Sequence, residues 1–180
     1  FIMPTYINSE EIKMPNECYN KIIVRGNKSE VARLEAFVTS RNSDFDFEKI
    51  VPFTTPDGKW DYDWVWKNWG TKWNAWGINA YQEGEDLIYT FMTAWGPSLL
   101  VTTRLAAQFP NLEIIHWFEE PNADFSGRSV FRNGKEVLSE EGGFGDFRLH
   151  DDDWFYNDFD WDDSDTEEDE PDKKEENSEL

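Results

Sequence analysis

The last 31 residues, His150–Leu180, hold 16 carboxylates against two cations, Lys173 and Lys174, and beyond Trp161 no apolar side chain follows until Leu180. Like charges at that density repel, and without apolar area nothing offsets the ~1–2 kcal/mol per residue that fixing a backbone costs. Residues 150–180 are therefore expected to be a disordered acidic tail, and a folded domain has to come from what precedes them. The balance there is milder, with 22 acids and 15 bases between Phe1 and Leu149, a net of −7 against −14 in the tail. The domain boundary is placed at that change. At the other end, residues 1–13 precede Met14-Pro15-Asn16 and do not begin with Met, which suggests a trimmed or embedded start; they are assigned only as an N-terminal extension.

Between these limits the hydrophobic period alternates between strand and helix. Cys18–Arg25 reads as a strand ending at Gly26-Asn27, where Asn27 with Glu30 three positions on forms a helix cap. Val31, Leu34, Phe37 and Val38 then fall at spacings of three and four, one face of a helix. Phe45–Val51 alternates with the pleat period and ends at Pro52, which predicts a second strand. Thr54–Gly58 is loop, and the Trp60–Trp76 segment, with six tryptophans, follows no simple period. Gly77–Tyr81 and Leu87–Trp95 read as strands around the turn Glu83-Gly84-Glu85-Asp86. Gly96-Pro97 opens a helix with Val101, Leu105 and Phe109 as its inner stripe, Leu112–Glu119 is the next strand, and Asn133-Gly134 joins a final hairpin. This order predicts an α+β ferredoxin-like (βαββαβ) antiparallel sheet with two helices on one face, a Trp-rich insertion and an added C-terminal hairpin. A body of about 130 residues buries a core without metal or disulfide help.

Met14-Pro15-Asn16 with Cys18 and Asn20, Asn68-Trp69-Gly70-Thr71-Lys72-Trp73, Thr93-Ala94-Trp95-Gly96-Pro97, Glu119-Glu120-Pro121 and Asp124-Phe125-Ser126-Gly127 together resemble the YubB-type ferredoxin-like domain family, over roughly residues 14–140. The Asn-Trp-Gly-Thr-Lys-Trp block is the specific part of the likeness. Glu17 departs from the pattern, where Trp or a similar residue is common, and the leader and acidic tail are additions to it. The resemblance implies the fold and an origin on plasmids, bacteriophages or integrated elements. It supplies no catalytic set.

The chemistry-bearing residues are few. A net charge of −21 and a pI near 4.3 oppose direct binding to a phosphate backbone. No apolar run approaches the ~18 residues of a membrane helix, a single Cys18 excludes an internal disulfide, and no signal-peptide layout is present, so a bacterial cytoplasmic setting is expected. His116 alternates with Leu112, Ile114 and Phe118 and reads as a satisfied core histidine, and Cys18 reads as a buried structural thiol. His150 borders the tail, whose carboxylates are expected to raise its pKa. No nucleophile, phosphate-loop or metal-site motif occurs, and no cofactor is implied. Asp158, Asp160 and Asp162 resemble the start of a calcium loop, but Asp163 stands where Gly is required and Asp169 replaces the bidentate Glu. An enzyme alternative would need Asp61, Asp63, Glu119 and Glu120 to converge. The tryptophans are read mainly as structural area over one side of the sheet, with stacking on bases or sugars as the functional alternative. Lys72 and Arg128 are read as buried partners for Asp124 or Glu120.

The tail carries the functional expectation. Asp151, Asp152, Asp153, Trp154, Phe155, Tyr156, Phe159, Asp160 and Trp161 interleave rings with carboxylates, which suits a segment that docks aromatics into a basic groove. The expected function is a non-enzymatic acidic protein-binding factor. Its partner would be a basic host protein, in the leading version a nucleic-acid-acting defence enzyme inhibited by charge mimicry, with no direct nucleic-acid or membrane binding. A structural or housekeeping accessory protein of the mobile element is the alternative. Oligomeric state is left open.

Overall fold

The computed structural model describes residues 16–55 and 58–147, all within Phe1–Leu149, one of the two units into which the chain divides, the other being His150–Leu180. The first strand, β1 (Glu17–Arg25), is followed by α1 (Lys28–Val38), the short helices α2 (Phe47–Ile50) and α3 (Tyr62–Asn68), then β2 (Trp76–Glu83), β3 (Asp86–Ala94), α4 (Leu99–Gln108), β4 (Glu113–Glu120), β5 (Phe125–Arg132) and β6 (Lys135–Gly142). All neighbouring strands are antiparallel, in the order β2-β3-β1-β4-β5-β6. With α1 between β1 and β2 and α4 between β3 and β4, the first four strands give the βαββαβ succession, and β5–β6 extend it. No helix among the described residues is long and apolar enough to cross a membrane.

One stretch departs from the sequence expectation. Phe45–Val51 is not a strand; α2 occupies its centre, and the second strand of the sheet is supplied by Trp76–Glu83. The side-chain oxygen of Asp46 accepts from the Glu48 N–H at 3.0 Å and caps the helix, while Asn74 accepts the Phe47 N–H at 3.0 Å. Phe45 and Phe47 are both buried, their rings edge to face, so two rings entering the core from a capped turn imitate the pleat period.

The core lies on one face of the sheet. Ile22 and Val24 of β1, Leu87, Tyr89 and Phe91 of β3, Ile114 of β4 and Phe131 of β5 pack with Val31, Leu34 and Val38 of α1 and Val101, Leu105 and Ala106 of α4. Both helices therefore cover the same face, and the helical stripes read from the sequence are the buried ones. Asn27 caps α1 by accepting from Ser29 N–H, whereas Glu30 pairs with Arg33 instead of completing a capping box. The hairpin signal at Asn133-Gly134 is realised with positive φ at both residues, 52° and 74°, as a type I′ turn requires.

A polar seam crosses this apolar face. His116, fully buried, has Nδ1 2.8 Å from Thr102 Oγ1 and Nε2 2.9 Å from Asn20 Oδ1. Asn20 Nδ2 donates to the Cys18 carbonyl and to Thr93 Oγ1, which itself donates to the Gly96 carbonyl. Asn20 thus offers its oxygen to the ring, so Nε2 carries the proton and Nδ1 accepts from Thr102. Burial pushes the imidazole pKa down to about 3, and the ring is a neutral tie between β1, β4 and α4. It is the satisfied core histidine the strand alternation indicates.

Candidate functional site

The tryptophan-rich segment divides into an inward and an outward set, and local hydrogen bonds show why. Asp61 caps α3 by accepting the Trp64 N–H at 2.7 Å. The helix ends at Gly70, whose φ of 77° lets its N–H reach the carbonyls of Val65 and Trp66. Trp69 turns inward, 4% exposed, and donates its indole N–H to the Val51 carbonyl at 3.0 Å. Around it stand Phe47, Phe53 and Trp64, with ring centroids 5.9, 6.2 and 5.6 Å away. Thr71 is fully buried and bonds reciprocally to one residue of β3, donating to the Ala94 carbonyl and accepting the Ala94 N–H at 2.9 and 3.0 Å. This staple holds the loop at 70–75 against the end of β3, and its two sequence neighbours, Lys72 and Trp95, face each other across it.

The outward set forms a ledge. Trp60 is 52% exposed, Tyr62 43% and Trp95 37%, with Leu100 of α4 at 44%. Trp60 touches Tyr62, Tyr62 touches Trp66, and Trp66 lies nearly parallel to Trp95, with centroids 6.1, 6.0 and 6.2 Å apart. Lys72 extends over two further faces, its Nζ 4.5 Å from the Trp73 centroid and 4.9 Å from that of Trp95. No carboxylate among the described residues forms an ion pair with it. Trp95 adopts φ 66°, a left-handed conformation that costs a bulky residue ~1–2 kcal/mol. It is held there by its N–H bond to the Asn16 carbonyl at 2.9 Å and by the Thr93–Gly96 bond beneath it. Of the six tryptophans of the Trp60–Trp76 segment, Trp69 is buried, Trp64, Trp66, Trp73 and Trp76 are half-buried, and Trp60 is exposed, so the structural reading fits Trp69 best and Trp60 least.

The other chemistry-bearing residues do not assemble with the ledge. Cys18 is fully buried, and burial pushes its thiol well above the usual range. Glu119 and Glu120 are adjacent on β4 and so face opposite sides of the sheet, while Asp61 is engaged as a helix cap and Asp63 is exposed. Buried Glu120 accepts the Asn122 N–H through Oε1. The ion-pair expectation is corrected: Arg128 pairs with Glu140 at 2.5 Å and lies over Trp117, Asp124 accepts the Phe144 N–H, and Lys72 rests on rings. No group of metal-ligating side chains occurs among the described residues. The tail residues Asp151, Asp152, Asp153, Trp154, Phe155, Tyr156, Phe159, Asp160 and Trp161 lie outside the described residues, as does His150.

Trp95 is a site residue the sequence reading did not single out, and Lys72, read there as an ion-pair partner, lies over rings instead; both sit in the blocks that carried the family resemblance. One signal was available. From Trp64 to Gln82 there is no acidic residue in a chain with 38 of them, so Lys72 has no local carboxylate and is surrounded by indoles.

Residues 69–177 match the family model for the ferredoxin-like domain in Api92-like protein. The crystal structure of protein api92 from Yersinia pseudotuberculosis is similar at 25% identity, with a TM-score of 0.47, over 57% of this chain and 41% of that one. The chain thus spans about two fifths of the length of that relative. No curated protein matches it.

Proposed function

The chain belongs to the Api92-like family through its ferredoxin-like domain, and from that premise we propose that it is a non-enzymatic, acidic factor that binds a protein partner through the aromatic ledge. The observation that carries this reading is the continuity of exposed Trp60, Tyr62 and Trp95 through the half-buried ring of Trp66. Single exposed apolar residues are ordinary on a soluble surface, whereas a contiguous patch marks an interaction site. Trp and Tyr are also the side chains most enriched where binding energy concentrates. The net charge of −7 over Phe1–Leu149, before the tail adds −14, favours a basic protein over a nucleic acid as occupant.

The finer form of the proposal places the protein in the cytoplasm of a bacterial host of a phage or plasmid. There the tail steers encounter with a nucleic-acid-acting defence enzyme. Fourteen net negative charges equal about 24 Å of duplex at one charge per ~1.7 Å, enough to occupy part of a DNA-binding cleft.

The test is capture of partners by the tagged full chain, identified by mass spectrometry, beside a Trp60→Ala/Tyr62→Ala chain of unchanged melting midpoint. The ledge variant is expected to lose a partner that the parent retains; equal retention removes the reading. A chain with Asp151, Asp152 and Asp153 changed to Asn tests the steering role, with slower association and weaker salt dependence expected and unchanged rates counting against it.

A further inference from the structure

Lys72 occupies the part of the ledge next to Trp95. Its ammonium lies over the faces of Trp73 and Trp95, within the ~6 Å at which an indole attracts a cation. It does so half-buried and with no carboxylate partner among the described residues. Ammonium groups on a surface ordinarily stay in water, because a long side chain has many rotamers and a strongly hydrated head. Here the backbone is fixed on both sides, at Thr71 by reciprocal bonds to Ala94 and at Trp95 by its bond to Asn16. Trp66 lies nearly parallel to Trp95 at an interplanar angle of 9°. Trp95 also keeps a left-handed φ that a glycine would adopt without strain, so a disfavoured backbone is retained where it presents an indole beside a cation.

We propose that Trp73 and Trp95 form a cation-binding site for an arginine side chain of a basic protein partner, and that Lys72 fills this site in the free chain. The inference rests on the reading of the ledge as a protein-binding surface. A guanidinium suits the site better than the resident ammonium, since it is planar, less strongly hydrated and stacks on aromatic faces. Charge supports the choice of partner. A chain of net charge −21 draws basic segments toward it at long range and repels polyanions, and exposed Asp63 follows Tyr62 at the start of the ledge. On binding, Lys72 would swing to solvent and the incoming arginine would take its place, so Lys72 weakens the site it marks.

The experiment titrates the full-length chain with a short arginine-containing peptide and with the same peptide carrying citrulline, which keeps the shape and removes the charge. The indole N–H resonances of Trp73 and Trp95 are followed by NMR. The arginine peptide is expected to shift both resonances and the citrulline peptide to bind at least tenfold more weakly. Lys72→Ala is expected to tighten arginine binding by roughly 3- to 30-fold, the equivalent of one cation–indole contact, and Trp73→Leu to weaken it by a similar factor. Trp95→Gly, which suits the left-handed backbone and so guards against misfolding, should act as Trp73→Leu does. Loss of binding in Lys72→Ala would make Lys72 a contact for an anionic ligand and overturn the proposal, as would equal binding of the two peptides or binding indifferent to Trp73→Leu. If these results fail while Trp60→Ala/Tyr62→Ala still loses its partner, the cation site falls and the ledge reading stands; if arginine binds as described while the ledge variant keeps its partner, the ledge reading falls.

Discussion

Trp69 and Trp95 lie close in the chain to the two partners of the Thr71–Ala94 bonds yet have opposite surroundings. Trp69 ends α3, is enclosed by Phe47, Phe53 and Trp64, and has its indole N–H bonded to Val51. Trp95 follows β3, lies nearly parallel to Trp66, faces the Lys72 ammonium and stands on a strained backbone. The first arrangement gives stability. The second exposes apolar area at a conformational cost, and this contrast separates the tryptophans that build the domain from those proposed to bind a partner.

The contrast is open to attack from the buried side first. Trp69→Ala is expected to destabilise the chain by ~3–5 kcal/mol in urea unfolding, through lost burial, a cavity and an unpaired Val51 carbonyl. A loss below ~1 kcal/mol would place Trp69 with the outward set. Acid should act on the interior as well. His116 is neutral in the fold, with its pKa pushed down to about 3 by burial, against ~6.5 when unfolded. Between those values the unfolded chain binds a proton that the folded chain does not, so stability falls as pH is lowered, by up to ~1.4 kcal/mol per pH unit from this residue. Unfolding curves at several pH values should show a steeper acid slope for the parent than for His116→Gln; parallel slopes would mean that the ring is not held neutral.

Smaller effects sharpen the boundary between the two sets. Asp61→Ala removes the cap of α3, which carries both Trp64 and Trp66, and should cost ~1 kcal/mol by thermal or urea denaturation. Trp95→Gly should be the mildest, within about 1 kcal/mol of the parent, because relief of the left-handed strain offsets the lost ring contacts. A stability loss as large as that of Trp69→Ala would make Trp95 a core residue despite its exposure.

Much of the fold was legible in the sequence because its signals are local. Val31, Leu34 and Val38, the alternation around His116, and Asn133-Gly134 each specify their element within a few residues. Phe45–Val51 misled because the rings of Phe45 and Phe47 reach the same core from a capped turn, and the deciding partner, Asn74, is distant in the chain. The ledge was half legible. The density of tryptophan was plain, but which rings point outward depends on Thr71 meeting Ala94 and on the φ of Trp95, neither of which has a periodic signature. Arg128 finds its carboxylate only when β5 pairs with β6.

The most direct test of the division is a paired measurement on the full-length double variant Trp60→Ala/Trp95→Gly, in which unfolding free energy and affinity for the captured partner are determined on the same preparation. The account predicts stability within ~1 kcal/mol of the parent and affinity reduced at least tenfold, in line with two aromatic contacts removed from an interface. A variant that is strongly destabilised yet binds its partner as tightly as the parent would contradict it.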